Sequence, residues 1–455
     1  MKKIHFIAIG GSVMHNLAIN LSQKGYEITG SDDEFYEPSK SNLKANGILP
    51  KETGWFKSKI VDSLDFIILG MHAKKNNPEL VEALKKKLKI YSYPEFVYNF
   101  CSNKTRIVIA GSHGKTTITS MILHVLKKCD INFDYLVGAN IEGFENMVSL
   151  SDENEFVVIE GDEYYSSAID SKSKFFWYKP NITLISGIDW DHINIFPTYE
   201  SYVNQFKLYV DSICKGGIVV YYENDLELKK IIDYSNNTIK KIPYCIENSI
   251  EISEKPILKT DYGDLEVNFF GDHNLENLAG ARWVCQLMGV ESIDFYETIS
   301  SFMGASRRLE IVYRGFNNIL FKDFAHSPSK VRASCKSVSN AYPKFKKIYC
   351  LELHTFSSLN INFIKRYSRT MDSADEILIL YDKKIISKKN KTFINNSELK
   401  MAFGNKNLEI YNSASNLCKF LYDKKWDNSL FLFMSSGNYG GISWDKLIKS
   451  FSGKK

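Results

Sequence analysis

The chain has 455 residues, long for a single domain, and its 44 % hydrophobic and 24 % charged content is that of a soluble globular protein. The formal net charge is +5, and lysines alternate with acidic residues along the whole length, so no concentrated basic face for nucleic acid is expected. Eight cysteines occur without a CxxC pair, and no apolar run approaches membrane-spanning length. A disulfide framework, a zinc ribbon and a membrane anchor are therefore disfavoured, and the expected location is the cytoplasm.

Short apolar runs alternate with helical patterns from the start. Residues 4–9 read as a strand, 14–23 as a helix, 27–29 as a strand, 66–69 as another strand and 79–86 as a helix. This is the rhythm of a parallel sheet covered by helices. A polar break at residues 102–105 precedes a strand at 106–110 and a helix at 117–127, which places a domain boundary near residue 104. Strands follow at 156–159 and 181–188, then an asparagine-rich region around 222–265 that reads as a strand meander, then helices at 275–288 and 294–302. After a second boundary near 303–306 the alternation resumes, with strands at 319–322, 347–351, 376–380 and 429–433. The expected fold class is α/β in three units: 1–103, 104–303 and 304–455.

The sharpest chemical signal is Gly111-Ser112-His113-Gly114-Lys115-Thr116-Thr117, set between a strand and a helix. Glycines let backbone amides approach phosphate oxygens, the helix N-terminus adds a positive dipole end, a lysine reaches the terminal phosphates and a hydroxyl meets Mg²⁺. The loop is shorter than the strict phosphate-binding pattern, since Ile109 stands where a glycine is usual. Taken alone it also reads as a glycine-rich turn. Glu160-Gly161-Asp162-Glu163 ends the strand at 156–159, and the carboxyl ends of strands are where open α/β sheets bind ligands. That cluster is a metal-binding candidate beside a phosphate loop, and a solvated acidic turn without one. Asp189-Trp190-Asp191-His192 follows a further strand and offers a second cation site, the alternative being an ordinary surface histidine.

At the N-terminus, Gly10-Gly11-Ser12-Val13-Met14 is a strand–turn–helix with a degraded dinucleotide fingerprint, and Ser31-Asp32 ends the next strand where a ribose or base would be held. An ordinary βα turn reads equally well there. In the last unit, Ser306-Arg307-Arg308-Leu309-Glu310 precedes a strand ending in Asp323-Phe324-Ala325-His326, a pattern suited to a polyanion or to salt-bridged surface positions.

In this order and spacing the motifs resemble those of the Mur ligase family over essentially the full length. The set comprises Gly111–Thr117, Glu160–Glu163, Asp191-His192, Gly271-Asp272-His273-Asn274-Leu275-Glu276-Asn277, Arg307-Arg308-Leu309-Glu310 and Asp323–His326. The resemblance implies a Rossmann-like N-terminal domain for a uridine nucleotide, a central P-loop ATPase domain and a Rossmann-like C-terminal domain for an incoming amine. It implies ATP and Mg²⁺ as cofactors, with Gly111, Ser112, His113, Gly114, Lys115, Thr116, Thr117, Asn274, Asn277, Arg308 and Asp323 around ATP. Thr116, Glu160 and His192 would hold metal, and Lys115, Glu160, His192 and His326 would surround the reaction. Gly11, Ser12, Val13, Met14, Ser31 and Asp32 would line the uridine diphosphate site. Lys207, fifteen residues after His192, matches the spacing of a lysine that several members carbamylate to hold a second Mg²⁺; a carbamate forms only on a neutral amine, so that role requires burial.

Within the family, Gly30-Ser31-Asp32, Asp162-Glu163-Tyr164 and Lys172-Ser173-Lys174-Phe175 resemble members that join L-alanyl-γ-D-glutamyl-meso-diaminopimelate to UDP-N-acetylmuramate. His354-Thr355-Phe356-Ser357-Ser358 leans instead toward members that use L-alanine, and Ser327 and Lys322 depart from both. The implied chemistry is ATP-dependent amide formation through an acyl phosphate. A nucleotide-binding regulator without ligase activity is the rival of another class, and a dehydrogenase is suggested only by Gly10-Gly11.

Overall fold

The computed structural model describes residues 2–190, 193, 195–252, 256–304, 308–389, 393–404, 407–424 and 426–451. They fall into two compact units, one of Met1–Ile188, Val203–Cys245 and Asn277–Ile299, the other of Asp189–Tyr202, Ile246–Glu276 and Ser300–Lys455. All eight cysteines are free thiols, and among the described residues no helix is long and apolar enough to cross a membrane.

Besides the antiparallel hairpin of Tyr165–Ser167 and Asp170–Ser173, the first unit carries two sheets. The smaller is wholly parallel, in the order Glu27–Ser31, Lys3–Ile7, Phe66–Leu69 and Ile90–Ser92. Its first strand stops two residues earlier than the apolar run suggests. Ala8 takes a positive φ of 67°, and the amides of Ala8 and Ile9 both turn to the Ser31 carbonyl, which swings the chain into the helix Ser12–Gln23. The larger sheet has seven strands in the order Lys240–Tyr244, Ile218–Tyr222, Ile182–Ile185, Thr105–Ala110, Phe156–Glu160, Asp134–Leu136 and Val148–Ser149, all parallel except the last pair. Thr105–Ala110 comes first in the chain yet lies inside the sheet, with later strands on both sides. The strand order therefore reverses there, and a crevice opens at its carboxyl end.

The second unit holds a six-stranded sheet in the order Glu310–Arg314, Asn318–Asp323, Ser429–Met434, Lys346–Glu352, Glu376–Leu380 and Leu408–Tyr411; only the first pair is antiparallel. The anticipated meander is confined to Ser249–Ile252, Pro256–Thr260 and Gly263–Glu266. Its expected first part is instead the helix Leu226–Tyr234, started by the Asp225 carboxylate, which accepts from the amides of Glu227 and Leu228 and buries Leu228, Ile231 and Ile232.

The short helix Lys174–Tyr178 is anchored in the first unit by Phe175, which is fully buried with its ring parallel to that of Tyr209 at 4.2 Å. Truncating it leaves a cavity that a close-packed interior cannot fill. Phe175→Ala is expected to lower stability by about 3–5 kcal/mol, seen as a lower urea midpoint; an unchanged midpoint would show that this stack does not hold the helix.

Candidate active site

The Gly111–Thr117 loop is built from the reversal point upward. Thr105–Ala110 delivers the chain to Gly111, and Gly114 starts the helix Lys115–Lys128 from a left-handed conformation, φ 75°. Gly111 has φ 122°, and a Cβ there would overlap the Ser186 hydroxyl. A Cβ on Gly114 would overlap the Asn277 carboxamide oxygen. Both positions thus need glycine on conformational and steric grounds. The loop is pinned from the neighbouring strand's exit: the Ser112 amide donates to the Gly187 carbonyl at 3.0 Å, and the Ser186 hydroxyl donates to the carbonyls of Ala110, at 3.3 Å, and His113. Ser112, Thr116 and Thr117 are buried, His113 and Lys115 half-buried.

The parallel register sets Ile109 opposite Glu160, so the acidic turn leaves the sheet directly beside the loop. Thr116 donates its hydroxyl to Glu160 Oε1 at 2.7 Å, and the Gly138 amide donates to Oε2 at 2.8 Å. Burial, with Asp162 nearby, pushes the Glu160 carboxyl above the ordinary range against those two donors. Lys115 Nζ donates to Glu163 Oε2 at 2.7 Å and to the Gly111 carbonyl at 2.8 Å, with Asp162 Oδ1 at 4.0 Å. Burial opposes its charge, but Glu163 and Asp162 outweigh it and hold the ammonium above the usual lysine range. The glycine cradle and an ammonium at the start of a fourteen-residue helix fit a phosphate chain. The Thr116 hydroxyl and the Glu160 carboxylate are hard oxygen donors of the kind Mg²⁺ takes alongside phosphate oxygens and water.

The N-terminal candidates also converge. Gly11 precedes the helix Ser12–Gln23, whose N-cap has no side-chain hydrogen bond and whose first residue, Ser12, is exposed. Asp32 accepts from the Gly10 amide at 2.7 Å and the Asp33 amide at 2.9 Å, and Ser31 receives the Lys59 ammonium at 2.9 Å. Ser12 and Met14 belong to the same turn: the Ser12 hydroxyl reaches Met147 Sδ at 3.3 Å, and Met14 is buried beneath Gly11, while Val13 is half-buried.

Asn277 lies in the first unit against Gly114. Asn274, Arg308, Asp323 and His326 lie in the second unit. There Asn274 donates to the Phe270 carbonyl at 2.9 Å, Arg308 lies over the Phe324 ring at 4.6 Å, and Asp323 accepts from the Leu309 amide at 3.2 Å and from the Ser334 hydroxyl. His326 Nδ1 lies 2.8 Å from the Phe324 carbonyl. His192, Asp191 and Arg307 lie outside the described residues. Lys207 is exposed on the helix Tyr199–Ser212, while Tyr202, Phe206 and Tyr209 of that helix are buried. A carbamate at Lys207 would require burial of its amine.

Sequence reasoning did not find Gly138, Ser186, Gly187 or the role of Lys174, whose ammonium lies 3.3 Å from Asp162 Oδ2. The first three act through backbone or a single hydroxyl and carry no motif. Lys174 sits in a run noticed for resemblance alone.

A family model described as the Mur ligase middle domain matches residues 109–285, and one described as the Mur ligase family catalytic domain matches residues 3–105. The chain is 33 % identical over 393 residues to a UDP-N-acetylmuramate–L-alanine ligase of Caldicellulosiruptor bescii, covering 83 % of each. It is 27 % identical to the UDP-N-acetylmuramate–L-alanyl-γ-D-glutamyl-meso-2,6-diaminoheptandioate ligase of Escherichia coli, covering 83 % of this chain and 84 % of that one. Among solved structures, a murein peptide ligase from Psychrobacter arcticus matches over 100 % of both chains with TM-score 0.69 at 20 % identity, a likeness of fold.

Burial pushes the Asp32 carboxyl up to about 6 against the Gly10 and Asp33 amides, while in the unfolded chain its value is near 3.8. Between those values the native state binds more protons than the unfolded state, so this group's contribution to stability is full below about pH 4 and falls as pH rises toward 6. Asp32→Asn is expected to flatten the stability–pH profile in that window, as read by urea unfolding at pH 4, 5 and 6. An unaltered slope would show that Asp32 titrates normally.

Proposed function

This chain belongs to the Mur ligase family, and from that membership we propose that it joins L-alanyl-γ-D-glutamyl-meso-diaminopimelate to UDP-N-acetylmuramate, with ATP cleaved to ADP and phosphate. Members of the family are ATP-dependent ligases that form amide bonds. The observation that carries the chemistry is Lys115 between the glycine cradle and the Glu160–Glu163 turn.

A carboxylate resists attack by an amine because its charge repels the nucleophile and oxide does not leave. Transfer of the γ-phosphoryl group to the carboxylate of UDP-N-acetylmuramate makes an acyl phosphate, from which phosphate leaves when the amine adds. The chain's part is position and charge. Loop amides and Lys115 hold the phosphates, Asn277 borders the loop, and the turn Gly11–Met14 with Ser31 and Asp32 receives the uridine diphosphate. Thr116 and Glu160 would hold Mg²⁺, which supplies charge neutralisation between phosphate oxygens when bound. On the resemblance, Asn274, Arg308 and Asp323 join the ATP set and His326 the amine side. The functional domains follow as 1–103, 104–303 and 304–455.

The tripeptide reading is supported by the run Lys172–Phe175 after Asp162-Glu163-Tyr164. Here Lys174 and Phe175 dock on that turn through the Tyr164 carbonyl at 2.7 Å and the Asp162 carbonyl at 3.2 Å. A second reading, L-alanine as the amine, is favoured by the 33 % identity to an L-alanine ligase. Ser327, where a histidine is usual, is buried ahead of the helix Pro328–Ala341.

Lys115→Ala is expected to keep the fold and to lower turnover at least ~100-fold, the scale of a lost transition-state charge contact; a folded variant ligating at the parent rate would remove this loop from ATP chemistry. With UDP-N-acetylmuramate and ATP fixed, kcat/KM for the tripeptide is expected to exceed that for L-alanine. The reverse order would assign the chain to L-alanine.

A further inference from the structure

Lys174 is an ammonium in an enclosed place. Its side chain is only 9 % exposed, it lies between the faces of Tyr93 and Tyr164 at 5.2 and 5.3 Å, and its nearest carboxylate is Asp162 Oδ2 at 3.3 Å. An apolar side chain of like volume would pack there without the cost of stripping water from a charge. The backbone around it already clamps the acidic turn: the amides of Lys174 and Phe175 donate to the carbonyls of Tyr164 and Asp162. The ammonium is therefore not needed to hold that turn against the sheet.

The charges form a short row: Lys174, Asp162, Lys115, Glu163. Lys115 is 2.7 Å from Glu163 and 4.0 Å from Asp162, while Lys174 is on the far oxygen of Asp162. A lysine that must turn to a phosphate chain has to give up carboxylate partners, and every unneutralised carboxylate in reach competes with the nucleotide for it. We propose that Lys174 is a positioning residue for nucleotide binding, neutralising Asp162 so that this carboxylate does not draw Lys115 away from the ATP phosphates. Asp162 then holds Lys174, and Glu163 is left as the carboxylate hydrogen-bonded to Lys115. The inference rests on the assignment of the loop to ATP and adds a second lysine to it, one that acts through Asp162 and touches no substrate.

Removing the ammonium leaves Lys115, 4.0 Å from Asp162 Oδ1, within reach of that carboxylate. The loss falls on the ground state, where ATP competes with Asp162, and saturating ATP overcomes it. Affinity for ATP with Mg²⁺ is measured by calorimetry on the full chain without acceptor or amine, and KM and kcat by phosphate release. Lys174→Met is expected to weaken ATP binding at least tenfold and raise KM for ATP alike, with kcat within threefold of the parent. Lys174→Arg restores affinity to within threefold. The double variant D162N/K174M, which removes the competitor, binds ATP at least fivefold better than K174M. A structural role gives neither the split between KM and kcat nor that suppression. Thermal melting checks that each variant is folded, and K174Q replaces K174M if the latter is not. If K174M or K174Q binds ATP within twofold of the parent, or the double variant binds no better than the single one, the inference is overturned while the functional reading stands. A parent that binds no ATP overturns both.

Discussion

The pairing of Thr105–Ala110 with Phe156–Glu160 sets the distance between the Gly111–Thr117 loop and the acidic turn, and the proposed chemistry at this end of the sheet depends on it. Two parallel neighbours exit their sheet about 4.8 Å apart. A loop and a turn leaving them must share space, and their charges must balance. Glu160 is held by Thr116 and the Gly138 amide, Glu163 by Lys115 and Asp162 by Lys174. Without such pairing three carboxylates in a largely buried crevice would repel one another and any phosphate brought to them.

The same logic recurs at the N-terminal sheet with different partners. There the strand order also reverses beside the first strand, and a helix begins at the carboxyl edge. Asp32 braces the turn through the Gly10 amide instead of pairing with a lysine. Burial raises the Asp32 carboxyl against the Gly10 and Asp33 amides, which favour its charged form.

Much of this architecture is legible in the chain. Phe66–Leu69 and Glu376–Leu380 stand out as apolar runs bounded by polar residues, and their limits match those read from the pattern. Lys115, Thr116 and Glu160 stand out in the chain by residue type at strand ends, and Thr116 donates to Glu160 beside the loop that carries Lys115. The helix Leu226–Tyr234 was hidden because lysines and tyrosines blur its apolar stripe, and only Asp225 marks its start. Gly138 and Ser186 contribute an amide and a hydroxyl from distant strand ends, and neither leaves a local pattern. Lys207 carries a spacing that resembles a ligand position, and its helix leaves that position exposed. Periodicity identifies a helix face more readily than it identifies which face the fold covers.

The central claim is that the loop at Gly111–Thr117 and the turn at Glu160–Glu163 phosphorylate a carboxylate before an amine adds. Carrying oxygen-18 in the carboxylate of UDP-N-acetylmuramate tests this directly. With ATP, Mg²⁺ and the tripeptide present, an acyl phosphate must hand one carboxylate oxygen to the departing phosphate. The account predicts that label from the carboxylate appears in the inorganic phosphate released, in step with amide formation. Amide formation accompanied by unlabelled phosphate would contradict it.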